Sequence, residues 1–369
     1  MPLLPITSPE TIEACKSLPL RPSDIFICSY PKSGTTWTQH IVLSLILADR
    51  RCRLNKERCS DSKDKDVDDD VISYEHVSDF APFYEIDAHW DLSNSNNCLA
   101  ETVQKNHHRL NQRVFNTHLR WDMLPKEQEQ THEDKRERQS NQLRLRPECG
   151  KFIYVTRNLL DVCASFYHHL SNQKEGTYTE SYDTFARDWM AGKVAFGSPV
   201  HHLLSFAEGF GDNFYRNCLQ DSTGNTKDQP LLLLSYQDMK VNLRQQVLRI
   251  INFLDLRNIS MDMLDNEILP TFEFQSMKEN IHKFQPKSVT WLNNFQFLRK
   301  GVVGDGKNLM TIEDEKTNGE KKIVKDETAL LVEYNKWVDR EEYRTKVQDS
   351  LNGNDSYLRD VFLGVADAS

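Results

Sequence analysis

Residues 24–37, DIFICSYPKSGTTW, restrict what this chain can fold into more than any other stretch. Asp24 to Ser29 is a short apolar run, Ile25, Phe26, Ile27 and Cys28 in succession, without the alternation of a half-exposed strand. Such a run fits a central parallel strand buried on both faces. Tyr30 and Pro31 end it, because proline has no N–H for the ladder. Lys32, Ser33, Gly34, Thr35 and Thr36 then place small residues ahead of a helical run from Trp37 to Ala48. A strand, a tight loop and a helix N-terminus bring loop N–H groups, the helix dipole, two threonine hydroxyls and the Lys32 ammonium onto one anion, for which phosphate is the best fit. An ordinary strand-to-helix turn is the alternative at this point. The nucleotide pattern G-x-x-x-x-G-K-[ST] is not matched, since Lys32 precedes the only glycine, so the loop is expected to hold phosphate otherwise than an NTPase does.

A chain of 369 residues can enclose a large core, and one α/β domain is expected. The formal net charge of −9 argues against nucleic acid or any general polyanion as partner, while leaving room for a local basic pocket. The longest apolar stretch, Ile41 to Ala48, is too short to cross a bilayer, and the first twenty residues lack the apolar core of a secretory signal. No membrane association is expected, and a cytoplasmic location is. Eight cysteines are scattered without C-x-x-C or Cys/His ligand spacing, which indicates neither a zinc site nor a disulfide framework.

Residues 1–23 carry five prolines and read as an irregular lead-in over the surface. Charged, apolar-poor segments near 50–70, 126–148 and 218–229 read as insertions, the first of them mobile. Between Val77 and Trp90 the aromatics return too irregularly for either period, and a lid or plain packing both remain open. Arg113 to Asn116 is a second strand, ending at Thr117-His118, where α/β sheets place ligands. Alone, a histidine there is more often structural than catalytic. Lys151 to Thr156 is a third strand followed at once by Arg157, and a helix from Leu160 to Leu170 carries Asp161 and Ser165. Arg157 and Ser165 are placed to clasp a second phosphate, or else are a surface arginine and a solvated serine. Helices are expected over Glu180–Lys193, Val200–Tyr215, Leu243–Leu254 and Thr328–Leu351, with a fourth strand at Leu231–Leu234 followed by Tyr236. FQFLRKGVVGDGKN, 295–308, combines three glycines with Arg299, Lys300 and Lys307, a third anion-binding candidate or a flexible charged loop. Four buried strands separated by helices give an α/β fold with a central parallel sheet.

In this order the segments resemble the cytosolic sulfotransferase family. YPKSGTTW at 30–37 looks like its 5′-phosphosulfate loop, RNLLDVCASFY at 157–167 like its 3′-phosphate segment, and RKGVVGDGKN at 299–308 like its C-terminal R-K-G-x-x-G-D-W-K-N. MAGKVAFGS at 190–198 and LLLLSYQDMK at 231–240 are similar to further family blocks, so the resemblance runs from about Asp24 to about Thr311. It implies a P-loop-like sulfotransferase domain over 24–311, with a charged linker and helix over 312–369. It also implies transfer of a sulfuryl group from 3′-phosphoadenylyl sulfate (PAPS) to a phenol, alcohol or amine, with no metal.

By the same resemblance, Lys32 would meet the bridging oxygen of the sulfate, and Ser33, Gly34, Thr35 and Thr36 the 5′-phosphate. Trp37 and Tyr236 would flank adenine, Arg157, Ser165, Arg299, Lys300 and Gly301 would hold the 3′-phosphate, and His118 would be the general base, a task suited to a pKa near neutrality. Four departures stand out. K-T-H reads Asn116-Thr117-His118, which removes a cation. The tryptophan of G-D-W-K-N is Gly306, which removes an aromatic wall and suggests a looser lid. Glu273 replaces a small hydroxyl near the nucleotide. The dimer motif reads Lys307, Thr311, Ile312 and Lys316 with its last charge reversed, which weakens the case for dimerisation by that route. A non-catalytic PAPS or PAP binder and a P-loop nucleotide kinase are the alternatives.

Overall fold

The computed structural model describes residues 1–60, 73–93, 98–126, 150–211, 214, 227, 229–310 and 329–338. The four apolar runs form four strands, β1 (Ile25–Ser29), β2 (Val114–Thr117), β3 (Lys151–Thr156) and β4 (Leu231–Ser235). They pair in parallel in the order β2-β1-β3-β4, with Ile25 opposite both Val114 and Lys151, and Phe152 opposite Leu231. Side chains alternate across a strand, so each strand feeds two cores. Phe26, Cys28, Phe115, Phe152, Tyr154 and Leu233 enter one, and Ile25, Ile27, Val114, Ile153, Val155 and Leu234 the other. Phe26 stacks between Phe115 and Phe152 at 5.0 and 5.1 Å, which ties the three central strands together on that face.

The first core is covered by α1 (Pro9–Ser17), α4 (Leu159–Leu170), α5 (Tyr182–Met190), α6 (Pro199–Phe210) and α11 (Ala329–Val338). The second is covered by α2 (Thr35–Ser60), α8 (Leu243–Leu254) and the turns from Met261 to Phe272. The remaining helices are α3 (Glu101–Leu110), α7 (Tyr236–Val241), α9 (Phe274–Glu279) and α10 (Asp305–Met310). At the edge away from the strand C-termini, buried Arg113 and Asp24 form an ion pair that clamps the starts of β1 and β2. Two buried histidines hold backbone carbonyls, His40 Nε2 that of Thr271 and His107 Nε2 that of Val114, and burial pushes the pKa of each down to about 4.

Two expectations change. The lead-in is not irregular throughout, because Ser8 caps α1 through Thr11 N with Pro9 in the first turn, and Ile12, Ala14 and Cys15 are buried. Nor does the first helix stop at Ala48. It continues to Ser60 through residues that favour helix, held by Asp49 accepting from Asn258 N at 2.7 Å and by an Arg51–Glu267 ion pair. The rest of the 50–70 segment lies outside the described residues from position 61, as do most of 126–148 and 218–229, the dimer motif from Thr311 onward and Tyr215. Among the described residues no helix is long and apolar enough to cross a membrane.

Candidate active site

Each strand hands one residue or loop to the same cavity from its C-terminal end, where open parallel sheets bind ligands. β1 delivers the loop Tyr30–Gly34, β2 His118, β3 Arg157 and β4 Tyr236, and the cavity they line has a volume of about 380 Å³. In the loop, Lys32 has a φ of +71° and Gly34 of +107°. A Cβ on Gly34 would lie 2.8 Å from the Tyr236 ring, so both backbone and packing require glycine there. Thr38 N bonds to Gly34 O, which leaves the amides of Thr35, Thr36 and Trp37 outside the helical ladder of α2. These amides suit an anion. Of the expected loop residues only Ser33 stays out of the cavity wall, because the turn folds its side chain inward, where it is buried.

Arg157 leaves β3 beneath this loop. Its Nη1 donates to Lys32 O at 3.2 Å, its Nη2 to Val302 O at 3.3 Å, and its guanidinium lies 4.3 Å above the Tyr236 ring. Its Nε is buried with no partner among the described residues. Ser165, Arg299, Lys300 and Gly301 line the same end, and the two oxygens of Asp305 accept from Arg299 and Lys300 at 2.6 Å each. Burial favours the neutral acid at Asp305, but the Lys300 and Arg299 hydrogen bonds outweigh it and hold the carboxyl below its usual range. The segment is pinned by Asp161, which accepts from Gly304 N at 2.9 Å and Gly306 N at 2.8 Å. A looser lid does not follow from Gly306. Its backbone rests on the first turn of α4, where a Cβ would come within 2.1 Å of the Leu160 carbonyl carbon. Trp37 donates to Phe272 O and meets Tyr236 edge-on at 5.6 Å, and Glu273 sits exposed at the rim.

The opposite end is apolar, with Leu4, Ile6, Phe83, Ile86, Phe196 and Phe297 in its wall. His118 is buried between Phe83 and Phe196, at ring distances of 5.3 and 5.4 Å. Its Nδ1 lies 2.8 Å from Ser29 O, and a carbonyl can only accept, so the proton is on Nδ1 and the Nε2 lone pair is free. The same Ser29 reaches Thr35 Oγ1 through its hydroxyl at 2.5 Å, so one residue touches both the base candidate and the anion loop. His118 N donates to Glu85 Oε1 at 2.8 Å, and His118 O accepts from His202 Nε2, whose Nδ1 accepts from Tyr154. Burial, reinforced by the Lys32 charge, pushes the His118 pKa down to about 4, below the near-neutral value expected from the sequence.

Asn116 is fully buried and absent from the cavity wall, and neither of its amide atoms has a partner among the described residues. The cation that Asn116 replaces thus has no counterpart in the cavity wall at this position. Sequence reasoning missed Glu85, whose pKa burial pushes up to about 7, and His169, which reads as one more residue of a helix. Their proximity to Lys32 and His118 is tertiary, and nothing in their own segments signals it.

Residues 22–132 and 141–320 match the family model described as the sulfotransferase domain. Sulfotransferase 1B1 of Mus musculus is 30% identical over 310 residues, covering 82% of this chain and 81% of its own. The Canis lupus familiaris protein of the same name is 31% identical over 299 residues, 79% of each. Among solved structures, mouse sulfotransferase SULT7A1 complexed with PAP is similar with a TM-score of 0.53 at 21% identity, covering 94% of this chain and 95% of that one. Retinol dehydratase in complex with retinol and PAP has a TM-score of 0.52 at 17% identity, covering 93% and 86%. At these identities the two structures speak for the fold.

Proposed function

The chain belongs to the sulfotransferase family, and on that footing we propose that it moves a sulfuryl group from PAPS to a hydroxyl or amine of a small-molecule acceptor. One observation carries the reading. A histidine with a free Nε2 and a lysine ammonium line a single cavity whose far end gathers Arg157, Arg299 and Lys300. The residues fit a 3′,5′-bisphosphorylated nucleotide. Arg157 has a buried Nε to offer, Arg299 and Lys300 are held ready by a carboxylate that an incoming phosphate can replace, and the loop and α2 amides suit the 5′ end.

The chemistry divides between two side chains. When the acceptor oxygen attacks sulfur, its proton passes to His118 Nε2, which is neutral at physiological pH because the pocket is dry. As the bond from sulfur to the bridging oxygen breaks, negative charge gathers on the departing 5′-phosphate, and Lys32 is placed to meet it. The sulfuryl group in flight carries little net charge, so one fixed cation suffices where a triphosphate would call for a metal. The apolar wall around His118 suits an acceptor with a compact apolar body, and phenols, alcohols and amines remain the candidate classes.

The test is transfer of labelled sulfate from PAPS to a panel of phenols, alcohols and amines, alongside equilibrium binding of PAP and ADP without magnesium. Tight PAP binding, weak ADP binding and transfer to at least one acceptor are expected. PAP binding with no transfer to any class would leave the non-catalytic binder, and the absence of PAP binding would end the PAPS reading. Family membership removes the nucleotide-kinase alternative.

A further inference from the structure

The Lys32 ammonium is not bare in the cavity. Its Nζ lies 3.1 Å from His169 Nδ1 and 4.4 Å above the ring of Phe297. His169 comes from the last turn of α4, and its ring is fixed edge-on to Trp291 at 5.0 Å with Phe297 at 6.1 Å. An ammonium can only donate, so His169 Nδ1 must accept and its proton sits on Nε2. We propose that His169 is a positioning residue for sulfuryl transfer: its Nδ1 holds the Lys32 ammonium, charged and aimed into the cavity, until the phosphosulfate takes the ammonium over.

The electrostatics around Lys32 show why such a partner matters. Burial and the charges of Arg157 and Arg299 lower the Lys32 pKa to about 7, so near neutrality the lysine is only partly charged. Groups facing it come from every neighbouring element: Arg157 from β3, Arg299 from the 295–305 segment, His118 from β2 and His169 from α4. Both histidines are pushed down by burial first, with the Lys32 charge adding to it at each and His118 adding further at His169, so both are neutral there. Of these, only His169 gives the ammonium a hydrogen-bond acceptor, and an acceptor favours the charged form. An imidazole nitrogen is also a neutral acceptor, so an anionic oxygen can displace it without a second carboxylate competing for the lysine.

This inference rests on the sulfotransferase reading, and its test separates the two. His169→Phe keeps an aromatic ring against Trp291 and Phe297 but removes the acceptor. His169→Asn loses the ring but can present its amide oxygen near the position of Nδ1. A packing role predicts that the Phe variant works and the Asn variant fails. Positioning predicts the reverse: kcat for sulfate transfer falls about tenfold in His169→Phe, with PAP affinity unchanged, and is largely restored in His169→Asn. The basic limb of kcat/KM for PAPS reports the free enzyme and should move to lower pH in His169→Phe by about one unit, because Lys32 loses its proton more readily without the acceptor. Wild-type kcat and pH profile in His169→Phe, or equal losses in both variants, would overturn the proposal. A readout free of turnover is the ¹⁵N resonance of the Lys32 side chain followed against pH in the cofactor-free protein. A lower Lys32 pKa in His169→Phe than in wild type supports the contact even if no acceptor is sulfated, and an unchanged pKa overturns it.

Discussion

The two ends of the cavity solve opposite problems. At the end proposed to hold the nucleotide, charge is kept in pairs near solvent: Lys300 is half exposed, and Arg299 and Lys300 share the carboxylate of Asp305. At the end proposed to hold the acceptor, the titratable groups are single and buried, and burial drives His118 and His169 down and Glu85 up until each is mostly or partly neutral. Paired, hydrated cations exchange one anion for another at little desolvation cost, which suits binding. Dry neutral groups have shifted proton affinities, which suits proton transfer. Lys32 belongs to both ends, sharing its surroundings with Arg157 and with His118.

That makes Lys32 the place to break the contrast most severely. Lys32→Ala should lower kcat by about 10³-fold while PAP affinity changes far less, since on the proposed mechanism the charge it meets is larger in the transition state. A loss confined to affinity would move Lys32 wholly to the nucleotide end. Next comes His118→Ala, expected to cost about 10²-fold or more in turnover with near-normal PAP binding. Retained activity on the best acceptor would strip the acceptor end of its base.

The dryness of that end is tested by pH. Only neutral imidazole accepts the proton, and burial holds His118 near a pKa of about 4, so kcat/KM should show no acid limb until well below pH 6. An acid limb at the ordinary histidine value would mean a wet pocket. At the nucleotide end, Arg157→Ala should weaken PAP binding by about 2 kcal/mol with the fold intact. The smallest change expected is from Gly306→Ala, whose Cβ collides with the α4 backbone and lifts the Asp161-pinned segment, weakening PAP by about 1 kcal/mol in isothermal titration. No change there would show that the segment closes independently of that contact.

The contrast also explains what the sequence could reveal. The nucleotide end is assembled from contiguous pieces, 30–37, 157–165 and 299–301, whose amides and cations need only local geometry to meet an anion. Hence strand, loop and helix were legible together. The end around His118 is built from single residues, Glu85, His118, His169 and Phe196, that belong to different elements, and the pKa values of the first three depend on burial, which no spacing records. Asn116 shows the limit from the other side, since two residues from His118 in sequence it lies outside the cavity. The extension of α2 to Ser60 was obscured by its charge, although arginine, lysine, glutamate and leucine are good helix formers when their partners sit on neighbouring elements.

The buried histidines that hold carbonyls also set a proton balance for the whole molecule. His40, His107 and His118 are held near a pKa of about 4 and His202 near about 3, against an ordinary 6.5 once unfolded. Between those values the unfolded chain binds protons that the folded chain refuses, so stability falls as pH drops through the window, by about 1.4 kcal/mol per pH unit for each histidine. Glu85 works the other way, carrying a proton in the fold up to about pH 7 and giving it up above about 4.5 when unfolded, which offsets one histidine in the overlap. Unfolding in mild acid is thus a cooperative uptake of protons, and the midpoint temperature should drop steeply with acidification below pH 6, long before the surface carboxylates titrate.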